Sequence, residues 1–219
     1  MLTPTPSALC VACGMLALFT LLACNNSQPE AEEPNITEVR NMEHDELVQR
    51  GSYLVTAGHC NDCHTPKKMT PNGPVDDSAN TLVGHLANSA LPPIDPKALQ
   101  PGNWILFSPG FTAFVGPWGT SYTANLTPDS ATGIGAWSED VFIKTLRTGK
   151  HLGQENGRSI LPPMPWYNVA KLNDQDLKAI YTYLRTLPPK NNRVPAPMSP
   201  DETAKLAQGR SNSDTARGR

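Results

Sequence analysis

Hydrophobic and polar positions along the 219-residue chain form a few helical patterns separated by long stretches with no period. In 43–58 (EHDELVQRGSYLVTAG), Leu47, Val48, Gly51, Leu54 and Val55 fall at i, i+1, i+4, i+7 and i+8, one face of a helix. Gly51 sits in the middle of that face, at a cost of roughly 1 kcal/mol in helix propensity. Such a cost is expected where a second helix must approach closely. In 139–148, Val141, Phe142 and Leu146 make an apolar side, with Ser138 as cap and Gly149 after the last turn. A further helix opens at Asn173, with carboxylates in its first turn. There Leu177, Ile180, Tyr181, Leu184 and Leu187 recur at i, i+3, i+4, i+7 and i+10 before Pro188-Pro189 stops the run. Three helices predict a mainly α domain.

The ends of the chain read differently. Residues 8–22 are apolar and uncharged, shorter than the 18 or so residues a spanning helix needs, and lie where the apolar region of a secretory signal belongs. The run closes on Leu21-Leu22-Ala23-Cys24, followed by Asn25-Asn26-Ser27-Gln28. A small residue before a cysteine at that point resembles the lipobox of bacterial lipoproteins. In those proteins the cysteine receives a diacylglycerol on its thiol and becomes the new amino-terminal residue. The expectation is a signal peptide over 1–23, a lipid on Cys24, and a polar, acidic tether over 24–42. Cys10 and Cys13 mimic a Cys-x-x-Cys pair but read as small apolar residues of the signal. The foldable domain is expected over 43–190. Residues 191–219, rich in Pro, Ser, Asp and Arg and without aromatics, read as a disordered or loosely docked tail.

Charge removes one class of function. With 18 Lys+Arg against 20 Asp+Glu, a net charge of −2 supplies no basic field for nucleic acid. Five cysteines are too few for a disulfide scaffold, and the hydrophobic fraction of 38% is low for a chain of this length. The 22 prolines amount to roughly twice the usual share. Many fall between 65 and 136, a Pro/Gly-rich connection expected to be irregular. Trp104, Phe107, Phe111, Phe114 and Trp118 cluster there, either to wall a site or to pack a satellite core. Lys67-Lys68 could face an acidic partner, although two adjacent lysines are ordinarily just solvated.

The chemistry lies in Cys60-Asn61-Asp62-Cys63-His64. Two thiols three residues apart can add across the vinyl groups on one edge of a porphyrin, and the next histidine can turn its imidazole under the iron. Structural zinc would need further Cys/His ligands. A thioredoxin-like dithiol would need a strand before the motif, and a simple disulfide leaves His64 unexplained. Haem iron held by one histidine retains an open position. Candidates for the second ligand are Met42, Met69, Met164, Met198, His44, His59, His85 and His151. Met164 stands in Ile160-Leu161-Pro162-Pro163-Met164-Pro165-Trp166. Prolines on both sides fix φ and remove donors, making a stiff strap that can hold a thioether at a set distance. The strap follows the motif and precedes the last periodic helix, which favours Met164; His151, after Gly149-Lys150, is the rival. His64 is expected to donate its other ring N–H to a backbone carbonyl, with Pro66, Pro71 and Pro74 nearby.

Helix, CNDCH, loops, helix, PPMPW, helix: this order resembles a class I cytochrome c. The stretches Asn125-Leu126-Thr127-Pro128-Asp129 and Thr132-Gly133-Ile134-Gly135-Ala136-Trp137, with 142–150, are similar to the haem domains of cytochrome subunits of membrane-bound alcohol and gluconate dehydrogenases. The resemblance implies a class I cytochrome c fold of three or more helices around one covalent haem c. It implies thioethers to Cys60 and Cys63 and axial ligation by His64 and Met164. It also implies a close crossing of the first and last helices at Gly51, against Tyr181 or Leu184. Those subunits carry several haem motifs and this chain one, which favours a single-electron carrier over a complete dehydrogenase subunit. The expected activity is therefore non-enzymatic electron transfer at the outer face of a bacterial membrane or in the periplasm. The expected partners are a dehydrogenase, a quinol oxidoreductase, or a terminal oxidase or reductase. Two other readings remain open: a haem-c subunit of a larger complex, and a haem enzyme or ligand sensor with a labile distal ligand.

Overall fold

The computed structural model describes residues 42–217, with side chains described to residue 208. The signal peptide, Cys24 and nearly all of the expected tether lie outside the described residues. Helix α1 (His44–Ala57) starts with a capping box between Glu43 and Glu46, and it buries Leu47, Gly51 and Val55. After a turn, α2 (Cys60–His64) carries the Cys-x-x-Cys-His motif. Helix α3 (Glu139–Thr148) is capped by Ser138, whose hydroxyl accepts from Val141 N–H. The short α4 (Trp166–Val169) follows the proline strap. Helix α5 (Asp174–Thr186) is capped by Asn173 and buries Leu177, Ala179, Ile180 and Leu184. These positions match the apolar stripes of the sequence.

Helices α1 and α5 form the broadest packing between elements. A Cβ added at Gly51 would lie 2.0 Å from the Ala179 carbonyl oxygen and 2.7 Å from Tyr183 Cβ. The crossing therefore exists, but its opposing residues are Ala179 and Tyr183, not Tyr181 or Leu184. Tyr181 instead donates its hydroxyl to Trp137 O at 2.8 Å, and Leu184 enters the main core. That core joins Val55, Leu82, Ile134, Phe142, Ile180 and Leu184, with Cys60 packed against it.

The connection 65–136 contains two small antiparallel sheets that the sequence period does not announce. Strands β1 (Lys67–Thr70) and β2 (Gly73–Asp76) form a hairpin, with Lys67 opposite Asp76. Strands β3 (Leu106–Phe107), β4 (Ala113–Gly116) and β5 (Gly119–Tyr122) pair in that order. Strands of two to four residues are too short for an alternation to be legible. Of the five aromatics clustered over 104–118, Phe114 is buried and meets Phe107 edge-on at 4.7 Å, whereas Trp104 is 85% exposed. A satellite core does form here, but from Ile94, Ala98 and Val115 with Ala207 and four leucines, and none of the five aromatics belongs to it.

Ala207 belongs to α6 (Pro200–Arg217), within the segment read as a loose tail. Asn192, Thr203 and Ala207 are buried, and Met198 pairs through its backbone with Thr120. Residues 191–208 are thus packed onto the strands rather than disordered. The anchors are small or polar side chains, which give no apolar stripe. The signal present in the sequence is Ser199-Pro200-Asp201-Glu202. The Ser199 hydroxyl accepts from Glu202 N–H, and the Glu202 carboxylate accepts from Ser199 N–H at 2.7 Å. Serine with glutamate three residues later, and proline at the first helical position, mark a helix start.

Candidate haem site

Helix α2 is a single turn, so Cys60 and Cys63, at i and i+3, share a face. Both thiols are free and half-buried. Burial pushes the Cys60 thiol up to about 11 and raises Cys63 as well. A redox-active dithiol needs a depressed thiol pKa, so these neutral, desolvated thiols argue against thioredoxin-like chemistry. Among the described residues, no group of three or more His, Cys, Asp or Glu side chains is arranged to hold a metal ion, which leaves a zinc site without a ligand set there.

His64 ends the turn with its side chain buried. Its Nδ1 lies 2.8 Å from the Ala124 carbonyl oxygen. A carbonyl only accepts, so the hydrogen-bond network assigns the proton to Nδ1 and leaves the Nε2 lone pair free. Burial lowers the imidazole pKa and outweighs the opposing pull of Ala124, keeping the ring neutral. The acceptor is sixty residues downstream and is none of the nearby prolines. A backbone carbonyl has no side-chain signature, so sequence offers no way to find it.

The turn is held by polar contacts. Lys67 donates to Asn61 O at 2.8 Å and to the Asp76 carboxylate at 2.6 Å. Lys68 pairs with Asp77 at 2.8 Å. The Lys67 side chain is buried in these contacts, whereas that of Lys68 stays 64% exposed beside Asp77. Thr65 donates to the Asn61 side chain at 3.1 Å and accepts from Leu82 N–H at 3.0 Å.

The strap that carries Met164 is fixed at Pro162, whose carbonyl accepts from the Ser121 hydroxyl at 2.6 Å. Ser121 lies on β5, and Ala124 follows it by three residues. One length of chain, about 10 Å at roughly 3.3 Å per residue, therefore holds the strap at one end and the His64 imidazole at the other. Met164 is half-buried. The four other histidines and Met69 are engaged or exposed. His151 meets Trp137 edge-on at 5.8 Å, and His85 bonds the Thr112 hydroxyl at 2.9 Å. His59 pairs with Asp62 at 3.2 Å, His44 is exposed at the start of α1, and Met69 is exposed on β1. Met198 and Met42 are half-buried like Met164; Met198 pairs with Thr120 through its backbone alone, and Met42 stands at the edge of the described residues.

The family model described as Cytochrome c matches residues 48–188, most of the packed unit. The chain belongs to the cytochrome c family. It is 33% identical over 161 residues to the gluconate 2-dehydrogenase cytochrome c subunit of Pantoea cypripedii, covering 71% of this chain and 28% of the relative. It is 39% identical over 137 residues to the cytochrome c subunit of alcohol dehydrogenase (quinone) from Gluconobacter oxydans, covering 63% and 20%. Over 185 residues it is 28% identical to the fructose dehydrogenase cytochrome subunit of Gluconobacter japonicus, covering 82% and 29%. The chain thus spans less than a third of the length of these relatives.

Membership in the family implies haem c, and the donor set fits that group. Two free thiols share a face, and a neutral imidazole keeps one lone pair. Cys60 also borders an apolar cluster suited to a porphyrin face. The mainly helical framework, with small sheets in its long connection, agrees with the fold expected for the family.

Proposed function

We propose that the chain carries one haem c and relays single electrons between redox proteins. Cys60 and Cys63 would hold the group as thioethers, His64 through Nε2 and Met164 through its sulfur as axial ligands. The observation that supports this best is the pairing of a buried His64, locked by Ala124, with a strap tied to the same stretch of chain through Ser121. When bound, haem c supplies a one-electron Fe(III)/Fe(II) couple. The residues set its conditions. The Nδ1–H bond fixes the tautomer and orientation of His64. The soft Met164 thioether favours Fe(II) and raises the potential. Leu82, Ile134, Phe142 and Leu184 exclude water from the packed core. With His64 and Met164 both holding the iron, no position would remain for a substrate, so the proposed role is electron transfer rather than catalysis.

The relatives' names, cytochrome subunits of gluconate, fructose and alcohol dehydrogenases, favour a dehydrogenase as electron donor, or a place within such a complex. A quinol oxidoreductase, or a terminal oxidase or reductase, completes the chain of partners. The apolar run 8–22 ending at Cys24 supports export, removal of 1–23 and a lipid anchor at the outer face of the envelope. No helix among the described residues is long and apolar enough to cross a membrane.

The test is spectroscopic. Haem should stay with the polypeptide after denaturation, and the native reduced protein should resist carbon monoxide. Met164→Ala should lower the potential and produce high-spin ferric iron. Rapid carbon monoxide binding by the wild type would sink the carrier reading in favour of a sensor or enzyme. An unchanged spectrum in the variant would remove Met164 as ligand.

A further inference from the structure

We propose that Asn192, four residues beyond the family match, is a positioning residue for His64, acting by clamping the loop that fixes the Ala124 carbonyl. The inference rests on His64 being the proximal haem ligand. Asn192 is 8% exposed, and its amide is fully engaged with backbone. Nδ2 donates to Val83 O at 3.0 Å and to His85 O at 2.9 Å, while Oδ1 accepts from Ala87 N–H at 3.0 Å. Both amide hydrogens are thereby used.

Residues 83–87 belong to no helix or strand, so this clamp replaces the ladder that a regular element would supply. Between the two clamped carbonyls lies Gly84. Its N–H donates to His64 O at 2.8 Å, and the next N–H, of His85, donates to Thr123 O at 3.0 Å. Gly84 has φ +76°, and a Cβ there would stand 2.5 Å from the Ala124 carbonyl oxygen. The α-carbon of Gly84 therefore abuts the atom that accepts the His64 Nδ1–H hydrogen bond. Loosening 83–85 frees that carbonyl to turn away from the ring. A second brace works from the other side. Asn125, next to Ala124, donates to Lys190 O at 2.8 Å, and Asn192 N–H donates to the Thr132 hydroxyl at 3.0 Å. The segment after Lys190 is thus stitched to both flanks of the His64 acceptor.

The bond from Nδ1–H to a carbonyl makes Nε2 a stronger donor and stabilises the oxidised iron. Weakening it should shift the midpoint potential upward. The experiment uses the haem-loaded full chain and compares Asn192→Ala with wild type. It reads the midpoint potential and, by NMR of the ferrous protein, solvent exchange of the His64 Nδ1 proton. The expected result is a positive shift of the potential with exchange about tenfold faster, the loss of roughly one hydrogen bond. Leu206→Ala, in the satellite cluster, weakens the tail without touching 83–87 and should move neither readout. Unchanged readouts in Asn192→Ala would overturn the proposal, as would equal changes in Leu206→Ala. If Asn192→Ala does not fold, Asn192→Leu keeps the side-chain volume and removes both donors without adding a charge near the haem. It should then show the same upward shift, and an unchanged potential would overturn the proposal. A wild type without covalent haem would defeat the haem reading before any variant is compared, and this inference with it.

Discussion

The helical half of the molecule and its strand-and-loop half hold together by different means. Helices α1, α3 and α5 meet through Val55, Phe142, Ile180 and Leu184, with the backbones of α1 and α5 in contact at Gly51. The other half, 65–136 with 190–208, lends Leu82 and Ile134 to the helical core and otherwise has the small satellite cluster of Ile94, Ala98, Val115 and Ala207. Elsewhere in this half, buried Asn125, Thr127, Asn192 and Thr203 are satisfied by hydrogen bonds to distant backbone and side chains. Apolar packing is non-directional and tolerates adjustment. A buried polar network is directional, and each unmade bond in it is costly. The site uses both. The Cys60 side packs on the helical core, while His64 takes its orientation from the loops.

The largest effect expected from breaking this comparison is in the helical half. Gly51→Ala places a methyl against the Ala179 backbone, which cannot swing aside as a side-chain tip can. A loss of about 3 kcal/mol or more is expected from such overpacking, read as a lower urea midpoint. A loss under about 1 kcal/mol would mean that the helices separate easily and that Gly51 is not the contact that spaces them.

Ending the chain after Met198 removes α6 and uncovers Ile94, Ala98 and Val115. About 2 kcal/mol should be lost, the burial of one or two apolar side chains. The loss should fall on the strand-and-loop half. Hydrogen exchange should rise in 94–123 while the amides of α1 and α5 keep their protection. Equal loss of protection in both halves would show that they open as one unit, and the distinction between them would fail. Ser199→Ala is the gentler version. It removes the hydroxyl of the capping box at the start of α6, with an expected cost of about 1 kcal/mol and the same regional pattern of exchange.

What the sequence could disclose follows the same division. Three helix positions, the motif turn at Cys60–His64 and the close approach at Gly51 were legible, because a 3.6-residue period and a costly glycine leave marks on the chain. The partners of Gly51 were not, since helix rotation decides whether Ala179 or Leu184 faces it. In the loops the determinants are pairings such as Asn192 with Val83 or His64 with Ala124, between residues with no shared period. The expectation of a loose tail failed for that reason. Polar side chains that bury by bonding backbone look like solvent-exposed residues until their partners are known. The capping box at Ser199 and Glu202 was the readable sign.

The smallest effect concerns pH and separates the halves by chemistry. Asp77 follows β2 and is buried. Its carboxyl is held below the usual carboxylate range, first by the hydrogen bond from Lys68 and then by that from Asn80 at 2.7 Å, against the opposing effect of burial. A depressed folded-state pKa means that the native state binds the proton less readily than the unfolded chain. The associated stability is therefore fully present above the ordinary aspartate value of about 3.9 and is lost as pH falls through the lower folded value. Asp77→Asn removes the charge that Lys68 pairs with. At pH 7 the variant should unfold at lower urea than wild type. As pH drops below about 4 and through the lower folded value, the wild-type advantage should shrink and the two midpoints converge. The amides of the β1–β2 hairpin should show the change and those of α5 should not. A gap that stays constant or widens on acidification would contradict the ion pair as its source, and would place the contribution of Asp77 in its neutral hydrogen bonds to Ala79 and Asn80.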